Sequence, residues 1–148
     1  MIITHASQDE IIQINKHSYT TPQRGCLFFA DEGNTYNLAG ECNHQYNLDV
    51  NETIEARRFF YEHDADDKRV LSVLDMMRLE SEFCDMSNEQ LCELLDETEF
   101  SDEACAGWLV QQYQGILADA LGYDCAESFD EQGVVYIAYC VDKNLIAA

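Results

Sequence analysis

Val134-Val135-Tyr136-Ile137-Ala138-Tyr139 is a run of β-branched and aromatic residues without a charge. Such side chains suit a pleated, buried surface, so the run reads as a central strand. An acidic turn, Asp130-Glu131-Gln132-Gly133, leads into it. A central strand needs partners, and the partners stand far away in the chain. Cys26 to Ala30 is a continuous apolar run after Gly25, fit for another buried strand. Tyr46, Leu48 and Val50 alternate with Asn47 and Asp49, the period of a strand buried on one side. Ile2-Ile3-Thr4-His5 is a shorter apolar run that stops at polar residues. Ser7 to Asn15 reads as a short helix: Ser7 stands three residues before Glu10, as in a capping box, and Ile11, Ile12 and Ile14 supply an apolar side.

Between these β-rich ends, Glu52 to Gly122 reads as helical. Val70, Leu71, Leu74, Met76 and Met77 recur at helical spacing. Ser87 stands three residues before Gln90, a capping box opening Asn88 to Asp96. Ser101 caps a longer helix with Asp102 and Glu103 in its first turn, where the helix dipole favours acids. Its apolar face runs through Cys105, Trp108, Leu109, Tyr113, Ile116, Leu117, Ala120 and Leu121, and Gly122 is the left-handed stop. Strands, then helices, then strands give the α+β class. A length of 148 residues fits one domain spanning 1–148.

Eight basic residues against 29 acidic ones leave a net charge of −21. A protein of this size exposes roughly 7,700 Å², or about one net negative charge per 370 Å². Direct contact with a phosphate backbone is then disfavoured, because few cations are at hand to displace its counterions. A basic protein is the better electrostatic partner, with fast and salt-sensitive encounter. The seven cysteines, at 26, 42, 84, 92, 105, 125 and 140, cannot all pair and show no zinc-knuckle spacing. No basic run followed by an apolar core opens the chain, and no apolar stretch approaches 18 residues. These features are expected of a protein in the reducing cytoplasm with free, mostly buried thiols and no membrane contact.

Several chemistries fail on residue pattern. No Gly-rich phosphate loop and no G-x-S-x-G elbow occur. The four His residues show no i, i+4 pairing, so no helical metal site is expected. What remains is three short segments. The first is Thr4-His5-Ala6-Ser7. The second is Gly25 to Ala30 followed by Tyr36, Ala39 and Gly40. The third is Leu121-Gly122-Tyr123-Asp124, then Asp130 to Gly133 and the strand to Tyr139.

Together these resemble the diphtheria-toxin-like, His-Tyr-Glu type of the ADP-ribosyltransferase superfamily. There the first strand ends in His, a small residue and Ser or Thr; an aromatic strand is followed by a stacking Tyr; and an acid stands beside a later strand. Closer still, the chain is similar to the anti-CRISPR ADP-ribosyltransferases that act on type I-F surveillance complexes. Phe60-Tyr61-Glu62-His63, Leu121-Gly122-Tyr123 and Asp130 to Gly133 with Tyr136 add to that likeness, which spans nearly the whole chain.

The resemblance implies a split antiparallel β core clasped by helices, with an NAD⁺ cleft between. It implies Asp130 as the catalytic acid, with Glu131 the other candidate, and His5 on a ribose hydroxyl. It further implies the Ala6 backbone on the nicotinamide amide, Ser7 on the same ribose, and Gln132 on a ribose or the acceptor. Tyr36 and Phe29 would stack on nicotinamide, and Phe28 joins them in the cofactor-binding set. No metal is implied. Cleavage of the nicotinamide–ribose bond develops positive charge on the sugar, which a nearby carboxylate stabilises. The implied partner is the large, PAM-reading subunit of the type I-F complex. Asp130-Glu131-Gln132 lacks the final Glu of arginine-modifying relatives, so the acceptor residue stays open. Two other readings stand beside this one: a stoichiometric acidic DNA mimic, and an NAD⁺ glycohydrolase.

Overall fold

The computed structural model describes residues 1–7, 25–31, 44–97, 104–130, 133–141, 143 and 145–147. Seven strands form its sheet: β1 (Ile2–Ser7), β2 (Cys26–Asp31), β3 (His44–Asp49), β4 (Thr53–Glu55), β5 (Cys125–Asp130), β6 (Gly133–Tyr139) and β7 (Ile146–Ala147). Their spatial order is β4-β5-β6-β2-β1-β3-β7. Every pairing is antiparallel except β4 with β5. β6 lies between β5 and β2, so the apolar run around Tyr136 is indeed an interior strand.

Among the described residues four helices lie between β4 and β5. They are α1 (Phe59–Glu62), α2 (Lys68–Arg78), α3 (Asn88–Leu95) and α4 (Ala104–Ala120), with a 3-10 turn at Ala56–Arg58 leading in. The expected capping box is present: Ser87 Oγ accepts from Gln90 N and Gln90 returns the bond to Ser87 N. Gly122 ends the α4 turn at φ +94°, where a Cβ would be strained. Two expectations fall outside the described residues: the Ser101 cap, and the helix after Ser7, which here ends β1.

β4 corrects the reading of 52–122 as wholly helical. Three residues around buried Ile54 are too few to show a period, yet they pair with Cys125 to Glu127. α4 also differs from its sequence reading. Gln111, Gln112 and Gln114 are buried along with the apolar stripe, because the sheet covers one side of the helix and α2 and α3 the other; Gln111 Nε2 donates to the Phe129 carbonyl of β5 at 3.1 Å. Gln114 Nε2 donates to the carbonyls of Leu95 (3.0 Å) and Glu97 (2.8 Å), which a helix end would otherwise leave unpaired. Buried Glu80, just past α2, accepts the hydroxyl proton of Tyr113.

α4 lies against the sheet at Gly115. A Cβ there would stand 2.7 Å from Ile137 Cγ2, so only glycine permits this approach. The larger core forms on this side, from Cys26, Ala126, Val135 and Ile137 of the sheet and the apolar faces of α2, α3 and α4. A smaller cluster on the opposite face joins Ile3, Phe29, Leu48, Val50, Cys125, Tyr136, Ala138 and Cys140.

Candidate active site

Among the described residues β1 and β2 pair at Ile3 with Asp31 and Thr4 with Ala30. Beyond Thr4 their ladder stops, while β1 continues along β3 through Ser7 and β2 continues along β6 to Cys26. The sheet therefore splits at His5. Gly25 accepts from Cys140 N, so the main-chain groups of residues 25, 27 and 29 face β6 and those of 26, 28 and 30 face β1. The Thr4–Ala30 pair then exchanges hydrogen bonds across the ladder, and strand alternation turns the main chain of Ala6 toward the same gap.

His5 bridges the opening. Its Nδ1 lies 2.7 Å from the Phe28 carbonyl, and its ring sits 5.7 Å from that of Phe29. A carbonyl can only accept, so Nδ1 carries the proton and Nε2 of the neutral ring is left as an acceptor. Burial pushes the His5 pKa below its ordinary value, and the Phe28 bond opposes this only in part. The ring is thus neutral at pH 7, with a lone pair suited to a hydroxyl donor.

Phe29 opposes Tyr136, and Tyr136 opposes Glu127. His5, Phe29, Tyr136 and Glu127 form a band across four strands on the face turned from the helices, with β1 and β5 roughly 14 Å apart. Phe29 is fully buried, so it backs the His5 ring and presents no open face. Phe28 departs from its expected place. Alternation turns it to the helix side, where it stacks on Trp108 with centroids 6.1 Å apart and planes 19° off parallel. Trp108, read as core, is 39% exposed.

The Asp130 backbone pairs with Gly133 and closes the β5–β6 hairpin, one residue beyond exposed Phe129. Ser7 is described by its backbone in β1, and Tyr36, Glu131 and Gln132 lie outside the described residues. Glu127 was not singled out from sequence. Its signal was its two-residue spacing from Phe129, which puts both on one strand face, hidden among 29 acids.

Two other quoted segments meet in space as scaffold. His63 Nε2 and the Tyr123 hydroxyl are 2.9 Å apart, edge to face, tying α1 to the turn after α4. The Asp124 carboxylate accepts from Asn51 N (2.8 Å) and Glu52 N (3.0 Å). Burial raises its pKa, but those bonds and Lys143 outweigh this and hold it below the ordinary value. A groove of about 400 Å³ lies on the helix side between α2 and α4, lined by Lys68, Arg69, Met76, Ile116 and Tyr139. None of the site candidates with described side chains lines it. Among the described residues no cluster of three His, Cys, Asp or Glu side chains could hold a metal ion, and no helix is long and apolar enough to cross a membrane.

Known proteins resemble the chain in sequence and in fold. A model of the family "Anti-CRISPR Type I-F ADP-ribosyltransferase AcrIF11" matches residues 5–148. A solved structure, described as the crystal structure of an anti-CRISPR protein, superposes with a TM-score of 0.64 at 21% identity. The likeness covers 99% of this chain and 93% of that one, and at this identity it speaks for the fold alone. No curated protein matches the chain. With a family model running from His5 to the last residue, the chain belongs to the AcrIF11 family of anti-CRISPR type I-F ADP-ribosyltransferases.

Proposed function

We propose that the chain transfers ADP-ribose from NAD⁺ to the large, PAM-reading subunit of a type I-F surveillance complex and so blocks DNA capture. The observation that carries this reading is the split at His5. A gap between two strands, walled by the Ala6 main chain on one side and bridged by a neutral imidazole, suits a flat carboxamide beside a ribose. NAD⁺, when bound, supplies the ADP-ribosyl group, with nicotinamide as leaving group.

The chain's own residues have separable tasks. Ala6 offers main-chain groups to the carboxamide. His5 Nε2 accepts from a ribose hydroxyl. Ser7 follows at the end of the same strand, and Tyr36 covers the nicotinamide ring. Asp130, on the β5–β6 hairpin, stabilises positive charge developing on the sugar, with Glu131 and Gln132 toward the acceptor. At ~4 Å and an effective dielectric of about 20, one carboxylate contributes roughly 4 kcal/mol. That corresponds to about three decades of rate.

Intact-mass analysis of the purified complex, with and without NAD⁺, tests the reading. The wild-type chain should add one ADP-ribosyl mass to the large subunit, only when NAD⁺ is present. Asp130→Ala should cut the rate about 1,000-fold and leave the circular dichroism spectrum unchanged. Full inhibition of the complex by Asp130→Ala would exclude catalysis as the mechanism.

The net charge of −21 favours one second reading, stoichiometric occupation of a nucleic-acid channel. That mode would need one chain per complex, ignore NAD⁺ and fade with salt.

A further inference from the structure

We propose that Glu127 and Phe129 together select the acceptor protein, by seating one of its lysine or arginine side chains beside the Asp130 hairpin. The inference rests on the transferase reading and names what the site recognises on its partner.

The two residues are neighbours on one strand face. They stand two apart on β5, so their side chains point the same way from Cα atoms roughly 7 Å apart. Their partners on β6 fix which way that is. Glu127 opposes Tyr136 and Phe129 opposes Val134, and both of these pack in the smaller cluster, on the face that carries His5. Exposure rises outward along this face. Phe29 is fully buried and Tyr136 is 7% exposed, whereas Glu127 is half-buried and Phe129 is 40% exposed. The pair is therefore the outer lip of the His5 face, and Phe129 directly precedes Asp130.

The lip is negative. Glu55 lies beside Glu127 in the parallel register of β4 with β5. Arg57 Nε donates to the Glu55 carboxylate at 2.6 Å, so the cation of this edge is engaged by that acid. The whole chain carries −21. A lysine or arginine brought to the lip gains twice: its charge lies over the Phe129 ring, within about 6 Å of the centroid, and the Glu127 carboxylate serves as counter-ion within about 4 Å. Side chains rising from one face some 7 Å apart can reach the same group. A nucleic-acid backbone or a second copy of this chain is repelled by the same field.

The main chain of the lip is held before any partner arrives. Asp130 pairs with Gly133, and Gln111 of α4 donates to the Phe129 carbonyl at 3.1 Å. Little ordering of the strand is then left for binding to do.

The experiment uses the full chain and a purified type I-F surveillance complex. It reads equilibrium binding without NAD⁺ at low and high salt, then transfer. Glu127→Gln and Phe129→Leu should each weaken binding roughly 10-fold. Because one cation serves both, the double variant should lose only about 20- to 30-fold, short of the ~100-fold of independent contacts. Phe129→Tyr keeps the ring and should stay within about 3-fold of wild type. Salt should weaken the wild type more than Glu127→Gln. Wild-type affinity in both single variants overturns the proposal, and full additivity overturns the shared cation. Should Phe129→Leu lose its fold, Glu127→Gln and its salt dependence decide alone. Transfer failing in the wild type while binding still depends on ring and carboxylate would sink the transferase reading and leave the cation seat standing.

Discussion

The two ends of the sheet are built differently. From β4 to β2 the strands lie under α2, α3 and α4, and one core unites sheet and helices. From β1 to β7 the strands leave that cover, and the described residues of the other face form a smaller cluster. The break between β1 and β2 falls at this boundary, and it is there that His5 stands. A split ladder forfeits main-chain hydrogen bonds, each worth about 1 kcal/mol net. A fold of this size has only about 5–15 kcal/mol in total, so the well-packed end has to carry that loss. Stability is concentrated under the helices, and His5 sits where pairing is incomplete.

The most forceful way to break this contrast is at the helix-backed end. Leu117 is fully buried in α4 within the larger core. Leu117→Ala should cost about 2–5 kcal/mol, read from urea denaturation, a large share of the whole. A loss below about 1 kcal/mol would mean that this end does not dominate stability. The matching substitution at the split is His5→Gln. It should lower stability by only about 1 kcal/mol, because one hydrogen bond to the Phe28 carbonyl is disturbed. Transfer should fall on the order of 100-fold, since the acceptor lone pair at Nε2 is lost. If the two variants lost stability equally, the division between the ends would be wrong.

A milder test sharpens the same contrast. Ser87→Ala removes the side-chain half of the capping box on α3 and should cost about 1 kcal/mol. Among the described residues α3 packs on α2 and α4, so kcat and KM should stay at wild-type values. A change in either would couple the helical end to the site.

The same division explains what the sequence made legible. Residues 134–139 were readable because an interior strand is apolar on both faces, and such a run has few other fates. The Ser87–Gln90 box and the Gly122 stop were readable because caps depend on local chemistry. β4 was not, since three residues show no period and Thr53 to Glu55 become a strand only by meeting Cys125 to Glu127. The burial of Gln114 in α4 was not legible for a related reason: its amide nitrogen is paired by the carbonyls of Leu95 and Glu97, which only the folded chain brings near. In the site, His5 was legible as a strand-end residue with small neighbours. Strand alternation puts Phe28 and Phe29 on opposite faces, but which of them backs His5 needed the sheet order. Glu127 was out of reach, because its place on the His5 face depends on register through three strands.

The finest test of the split concerns protonation. The His5 pKa is lowered in the fold, chiefly by burial, from an ordinary value near 6.5. Between the folded and unfolded values the unfolded chain binds more protons, so stability rises with pH across that window. The contribution of neutral His5 is complete above about pH 6.5 and is lost as pH falls through the lower, folded value. Every other ionisable group is common to wild type and His5→Gln, so a comparison of the two isolates His5. Urea midpoints from pH 8 down to pH 5 should therefore fall more steeply for the wild type, with the gap opening only below about pH 6.5. The effect is small because a single ring carries it. Parallel pH profiles would mean that the His5 ring is well solvated, and the gap between β1 and β2 would then lie open to bulk water.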